Sequence, residues 1–271
     1  MLAIKNTSGL VAVIHQTTGQ LLSTFSGKGE ESGSTVSFVR DDSQLVDGTW
    51  DGILRFRSPL GGEVFNQAMR PNEMITDLTY NDDSKLLLVT YDPKVLSGEL
   101  SSEHNSYLLL LDLSDTPTRP MRIELESTPE INTQIKCVRF SQDGEFFCLA
   151  TWVKALRKKV RASLTAQFQI RSTRNGALIC KSDIYELPFP RSNLSWSSDG
   201  KHVVAPIKDA FILLETNNLR EVGRVSWHYG AAVAFHPKNN AVVLGSSSKS
   251  KIISLDQFSS VNGKRVGGHP A

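Results

Sequence analysis

The sequence predicts an all-β fold of the propeller class, and three observations predict it. One phrase recurs five times: an apolar residue, any residue, an aromatic, a short polar turn, then an apolar run. The recurrence has a basic unit of about 40 residues, a period that marks repeat architectures. Each unit carries two hairpin signals, so each supplies four antiparallel strands. Repeated four-stranded sheets packed face to face are the blades of a propeller. A β-sandwich explains the alternation but not the recurrent spacing.

The aromatics are Phe38, Tyr80, Phe140, Trp196 and Phe235, separated by 42, 60, 56 and 39 residues. They divide the chain into six units within one domain spanning 1–271, at about 1–27, 34–70, 74–126, 134–185, 191–227 and 231–266. The first unit opens on LAIKNTS, GLVAVIHQ and QLLSTFS, which read as second, third and fourth strands with no first strand ahead of them. The second carries VSFVRDDSQLV (36–46) and then GILRFRSPLGGEVFN, with one extra residue between Phe38 and Leu45. In the other four copies the apolar run begins six residues after the aromatic. LTYNDDSKLLLV (78–89) opens the third unit, whose second half follows an insertion at 92–106. VRFSQDGEFFCLA (138–150) opens the fourth, which has a second insertion at 153–166. Val153 to Leu164 is the one stretch expected to be able to form a helix, having good helix formers and no Gly or Pro. LSWSSDGKHVVA (194–205) and VAFHPKNNAVVLG (233–245) open the last two units. Several third strands, such as YLLLLDL and AFILLE, are nearly continuous in apolar residues, as suits strands covered on both faces.

The end of the chain allows two expectations. The tail, with Val261 and Val266 as its apolar strand residues, supplies a missing strand and closes a six-bladed ring. Alternatively the chain is a portion of a longer, typically seven-bladed propeller, and so few apolar residues in the tail favour this second expectation.

Val13, Ile14, His15, Gln16, Thr17, Thr18 and Gly19 form an apolar strand followed by a Thr-Gly turn. Phe56, Arg57 and Ser58 precede Gly61-Gly62, and Ile170, Arg171 and Ser172 precede Asn175-Gly176, in the same way. This pattern resembles the WD-repeat family, with His15-Gln16 where that family has Trp-Asp. Leu255-Asp256 keeps the acid without the tryptophan. Gly48, Thr49, Trp50, Asp51 and Gly52 look like the family's second-to-third strand turn. The resemblance covers about residues 2 to 258, but no unit carries the Trp-Asp pair in its place or opens with Gly-His. The family's buried hydrogen-bonded set is therefore incomplete, which shifts the stability of each blade onto apolar packing. The resemblance implies a non-catalytic interaction platform.

Composition narrows the function classes. Lys+Arg 30 against Asp+Glu 28 leaves a net charge of +2, so no global field draws the chain to nucleic acid or an anionic membrane. The longest apolar runs, such as Tyr107 to Leu111, are far too short to cross a bilayer as a helix, so no membrane insertion is expected. The first residues lack both a basic start and a continuous apolar stretch, which argues against a signal peptide. Cys137, Cys148 and Cys180 form neither a disulfide framework nor a metal pair. A reducing compartment follows, cytoplasmic with the nucleus also allowed.

No catalytic, cofactor or metal residue can be assigned. The six histidines, including His228 and His236, show no ligand spacing, and no nucleophile turn, phosphate loop or dinucleotide fingerprint is present. Asp41-Asp42 and Asp82-Asp83 occupy the same turn of successive units, where Asp serves the backbone rather than a cation. The cysteines read as small buried hydrophobes. One feature stands out as a partner-binding loop: Lys154, Arg157, Lys158, Lys159 and Arg161, five cations within eight residues of the second insertion. They are expected to be exposed, dispensable for folding and suited to an acidic partner; no aromatics interleave them, which disfavours nucleic acid. The sequence reading is a protein–protein interaction scaffold without a cofactor. Its alternative is a propeller hydrolase or lyase with a site at the central channel.

Overall fold

The structure is a computed structural model and describes residues 1–26, 33, 35–93, 105–114, 119–126, 131–155, 165–186, 193–237, 239–246 and 248–259. The chain forms two compact units, Met1–Glu126 and Ser127–Ala271, each with three antiparallel sheets.

In the first unit, β1 (Leu2–Lys5), β2 (Val11–Ile14) and β3 (Leu21–Phe25) make a three-stranded sheet. A four-stranded sheet follows, of β4 (Thr35–Val39), β5 (Gln44–Gly48), β6 (Ile53–Arg57) and β7 (Val64–Met69). The third sheet is β8 (Glu73–Asn81), β9 (Leu86–Pro93), β10 (Tyr107–Asp112) and β11 (Met121–Glu124). In the second unit, the first sheet is β12 (Ile131–Phe140), β13 (Phe146–Ala155), β14 (Thr165–Ser172) and β15 (Leu178–Glu186). The next is β16 (Ser195–Trp196), β17 (His202–Ile207), β18 (Ala210–Glu215) and β19 (Glu221–Ser226). Three strands complete it: β20 (Ala232–Phe235), β21 (Ala241–Gly245) and β22 (Ser250–Ser254). Every sheet keeps chain order, each strand beside the next, which is the meander of a propeller blade. The fold is an all-β propeller.

The recurrent aromatic ends, or nearly ends, the first strand of its sheet, and the second strand begins six residues later at Gln44, Leu86, Phe146, His202 and Ala241. The spacing therefore holds in all five sheets. The extra residue read after Phe38 disappears because β5 starts at half-buried Gln44, one place ahead of its first apolar residue. Side chains set this spacing. Ser141 Oγ donates to Asp143 (2.6 Å) and accepts from the Phe146 amide (3.0 Å), while Gly144 takes φ 70°. Ser197, Asp199, His202 and Gly200 repeat that turn at 2.6 Å, 2.9 Å and φ 70°.

A second turn recurs four times between third and fourth strands. Its first residue accepts from the amide four positions on and donates to the carbonyl five positions on. The sets are His15/Gly19/Gln20, Ser58/Gly62/Glu63, Ser172/Gly176/Ala177 and Glu215/Leu219/Arg220. This is the Thr-Gly turn of the sequence, and the fourth residue always has positive φ.

Inside each unit the sheets stack through apolar faces. Cys148, Phe168 and Ile170 meet Val203, Ile212 and Leu214, and Phe211 and Leu213 meet Val242 and Ile253. In the first unit, Val39, Val46 and Leu54 meet Ile75, Leu87 and Val89. Trp196 Nε1 donates to the Arg139 carbonyl (3.0 Å), so the recurrent aromatic also ties one sheet to the one before it.

Val153 to Ala155, at the start of the stretch expected to allow a helix, extend β13, because cross-strand pairing to Ile131–Thr133 and Thr165 overrides helix propensity. Residues 156–164 lie outside the described residues, as do 260–271, including Val261 and Val266. Ser259, just before that tail, pairs with Arg224 of β19 through two hydrogen bonds of 3.0 and 3.1 Å.

Candidate functional site

Each sheet has two ends. One carries the first-to-second and third-to-fourth turns just described, closed upon themselves. The opposite end carries the second-to-third connections and the crossings from sheet to sheet, and there length and chemistry vary.

In the second unit that variable end gathers an exposed polar and aromatic cluster. The tight turn at Lys208–Asp209 holds Asp209 at φ 61°, and the Trp227 amide donates to its carbonyl (2.9 Å). This sets the β19–β20 loop against the turn and brings His228 Nδ1 to 2.6 Å from Asp209 Oδ1. Tyr229, at φ 57° and 60% exposed, lies with its ring centroid 5.3 Å from that of His228. Trp227 is buried, edge-on to Phe211 at 5.9 Å, and Lys249 from the β21–β22 loop sits 4.6 Å over its indole. Gly230 allows the close approach: a Cβ there would stand 2.7 Å from the Phe211 ring. Lys208 binds Glu186 at 2.8 Å. A partner meeting this end finds an imidazole, a phenol and ammonium groups on short, anchored loops.

The first unit buries its charges instead. Asp47 of β5 accepts from Lys5 Nζ (2.9 Å) and Arg57 Nε (2.8 Å), and Lys5 also donates to the Gly48 carbonyl (2.6 Å). All three residues are buried, and Arg57 lies 4.8 Å over the Phe25 ring. Burial pulls the Lys5 ammonium below its usual range, and the Asp47 carboxylate works against that shift. The set joins β1 to β5 and β6 with no exposed reactive group, so it fastens two sheets.

A further cluster braces the root of the first insertion. Tyr107 donates to Glu73 Oε2 (2.6 Å), stacks on Tyr91 at 5.3 Å, and carries the Arg122 guanidinium 3.8 Å over its ring. Arg70 lies 5.4 Å over Tyr91. Burial pushes the Tyr91 phenol up to about 12 and lifts Tyr107 further, with the Glu73 carboxylate adding to the second shift. Both phenols therefore stay protonated at neutral pH and act as donors and packing surfaces. Beside them the buried Ser106 hydroxyl donates to Asp92.

Arg157, Lys158, Lys159 and Arg161 of the basic run lie outside the described residues. Lys154 falls on β13, and the chain leaves the sheet at Ala155 and returns at Thr165. That connection joins second and third strands, as the Lys208–Asp209 turn does in the next sheet, so the run departs from the variable end. Asp41 and Asp82 serve turns: the Asp41 amide donates to Asp82 Oδ1 (3.2 Å), and Lys85 Nζ lies 3.7 and 3.4 Å from the two carboxylates. An ammonium thus stands where a cation would sit, and among the described residues no group of His, Cys, Asp or Glu could hold a metal. The Nδ1 atoms of His15 and His236 accept turn amides at 3.3 and 3.1 Å. Cys137 and Cys148 are buried, and burial pushes the Cys148 thiol well up, as small buried hydrophobes require. Among the described residues no helix is long and apolar enough to cross a membrane.

No family model matches the sequence, and no curated protein does. Among solved structures the chain is similar to hydrazine synthase of Kuenenia stuttgartiensis, with TM-score 0.69 and 13% identity over 93% of this chain and 79% of that one. It is also similar to the β-propeller domain of Cps50 (Swd1) from Myceliophteria thermophila, with TM-score 0.50 and 10% identity over 93% of this chain and 92% of that one. At such identities the likeness carries the fold and no function: this chain is a β-propeller.

Proposed function

We propose that the chain is a non-catalytic scaffold for protein–protein interaction, built of degenerate WD-type repeats, that engages its partner with the variable end of the sheets. The observation that carries this reading is the contrast within each sheet. At one end four of the third-to-fourth turns share a single hydrogen-bond pattern, whereas the other bears anchored loops with exposed Tyr229, the His228–Asp209 pair and the departure points of the basic run. Function on a rigid scaffold concentrates in such loops. The five cations make an acidic protein surface the fitting partner, and buried or half-buried cysteines outside any disulfide agree with a reducing, cytoplasmic setting.

The test compares wild type with a variant in which Lys154, Arg157, Lys158, Lys159 and Arg161 are all replaced by Ser. The variant should melt within a few degrees of wild type, since exposed changes cost under about 0.5 kcal/mol each. Proteins crosslinked by wild type at low salt should be lost from the variant, and lost from wild type as salt rises. Equal crosslinking by both forms rejects the basic run as the contact. Turnover by the purified chain in a panel of hydrolase and lyase substrates rejects the non-catalytic reading.

A further inference from the structure

Three exposed histidines differ in which ring nitrogen the fold engages, and how. In His15 and His236, Nδ1 accepts a turn amide, at 3.3 and 3.1 Å. An accepting Nδ1 places the proton of the neutral ring on Nε2, so Nε2 has no lone pair to offer. His228 is the reverse. Its Nδ1 lies 2.6 Å from Asp209 Oδ1, and a carboxylate only accepts. The neutral ring therefore keeps its proton on Nδ1 and its lone pair on Nε2.

The surrounding loops hold that arrangement in place. Asp209 takes φ 61° in its tight turn, and the Trp227 amide donates to its carbonyl at 2.9 Å. Trp227 is buried edge-on to Phe211, and Gly230 lets the loop close down on the same ring. The Tyr229 ring lies 5.3 Å from the imidazole. The imidazole is thus held through Nδ1 and beside Tyr229, while Nε2 is directed away from Asp209 on a side chain that is 74% exposed. Lys208 on the same turn, and Lys249 at 4.6 Å over the Trp227 indole, add ammonium groups to these loops. An oriented lone pair, backed by a carboxylate that stabilises positive charge on the ring, is an activated nucleophile.

We propose that His228 Nε2 is a phosphoryl-acceptor site, loaded by a donor whose phosphorus is bonded to nitrogen. The Nε2 lone pair forms the new N–P bond while the P–N bond of the donor breaks. The donor nitrogen, protonated before attack, takes the bonding pair and leaves as a neutral amine. The ring gains one positive charge, and the Nδ1–H bond to Asp209 persists in the product. The carboxylate offsets that charge without any proton moving. The inference goes beyond the scaffold reading and does not depend on it, because it concerns a reaction at one imidazole.

The probe is phosphoramidate, incubated with the full chain and read by mass spectrometry of peptides kept at alkaline pH. His228 should be phosphorylated on Nε2 about tenfold faster than His15 or His236. Asp209→Gly removes the carboxylate while glycine keeps the turn at φ 61°. It should slow His228 by about tenfold and leave His15 and His236 unchanged. Asp209→Asn also tolerates that φ, and should slow His228 by less, since its side-chain oxygen holds the tautomer without the charge. The basic-run variant should react as wild type does, so this result and the scaffold test fail separately. Three results overturn the proposal: a His228 rate no faster than those of His15 and His236, either Asp209 variant reacting like wild type, or an adduct on His228 Nδ1.

Discussion

The regular end and the variable end of these sheets are made under different constraints. At the regular end, four third-to-fourth strand turns share one hydrogen-bond pattern, and Ser141 and Ser197 organise the same first-to-second turn in neighbouring sheets. At the variable end, the connections range from a two-residue turn at Lys208–Asp209 to the stretch between Pro93 and Tyr107. Connections at both ends return the chain to its own sheet, but the third-to-fourth turns share one hydrogen-bond pattern with a positive-φ residue, whereas the second-to-third connections vary in length, and loops of that kind can carry recognition without cost to the core.

The largest expected effect lies where a charge has been taken from this freedom into the core. Asp47→Ala leaves Lys5 and Arg57 buried without their shared carboxylate, and removing one member of a buried pair costs about 3–5 kcal/mol. Chemical denaturation of the variant measures the loss. A loss below about 1 kcal/mol, the range of exposed pairs, would mean that water reaches the three side chains and that the set belongs with the surface.

The same contrast governs what the sequence disclosed. The first-to-second strand spacing was legible because Phe38, Tyr80, Phe140, Trp196 and Phe235 mark strand ends and Ser-x-Asp-Gly marks turns, both short-range signals. The Asp47 set was not, because its partners lie 42 and 10 residues away and only strand register brings them together. The His228–Asp209 pair was hidden likewise: it depends on a sheet-to-sheet crossing that no local pattern encodes. The basic run was legible as composition alone. Val153 to Ala155 misled because helix propensity is local, whereas pairing with β12 and β14 is not.

A middle-sized effect tests how strict the regular end is. Gly19, Gly62 and Gly176 take φ 70°, 67° and 71° in three of the four matching turns, but Leu219 takes φ 53° in the fourth. A left-handed non-glycine residue costs about 1–2 kcal/mol. Leu219 is only 1% exposed and packs with Ile170 and Leu214, and losing a buried leucine side chain costs about 2–5 kcal/mol. Burial wins, so Leu219→Gly should destabilise by roughly 2 kcal/mol despite relieving the backbone. A stabilised variant, read from the denaturation midpoint, would show that the turn is governed by φ alone.

The smallest expected effect is a zero. Ser141→Ala and Ser197→Ala each remove a buried hydroxyl that holds an aspartate and a strand amide, at about 1 kcal/mol apiece. The two turns belong to adjacent sheets, linked at their first strands by the Trp196–Arg139 hydrogen bond, and the serine bonds just named each stay within one turn. If each turn is a closed local solution, the double variant should lose the sum of the two single losses to within about 0.5 kcal/mol. Coupling beyond that, measured in a double-mutant cycle, would mean that Trp196 transmits the state of one turn to the next. The regular end would then act as a connected array of turns, and its repetition would reflect mutual fit between sheets as well as the needs of each hairpin.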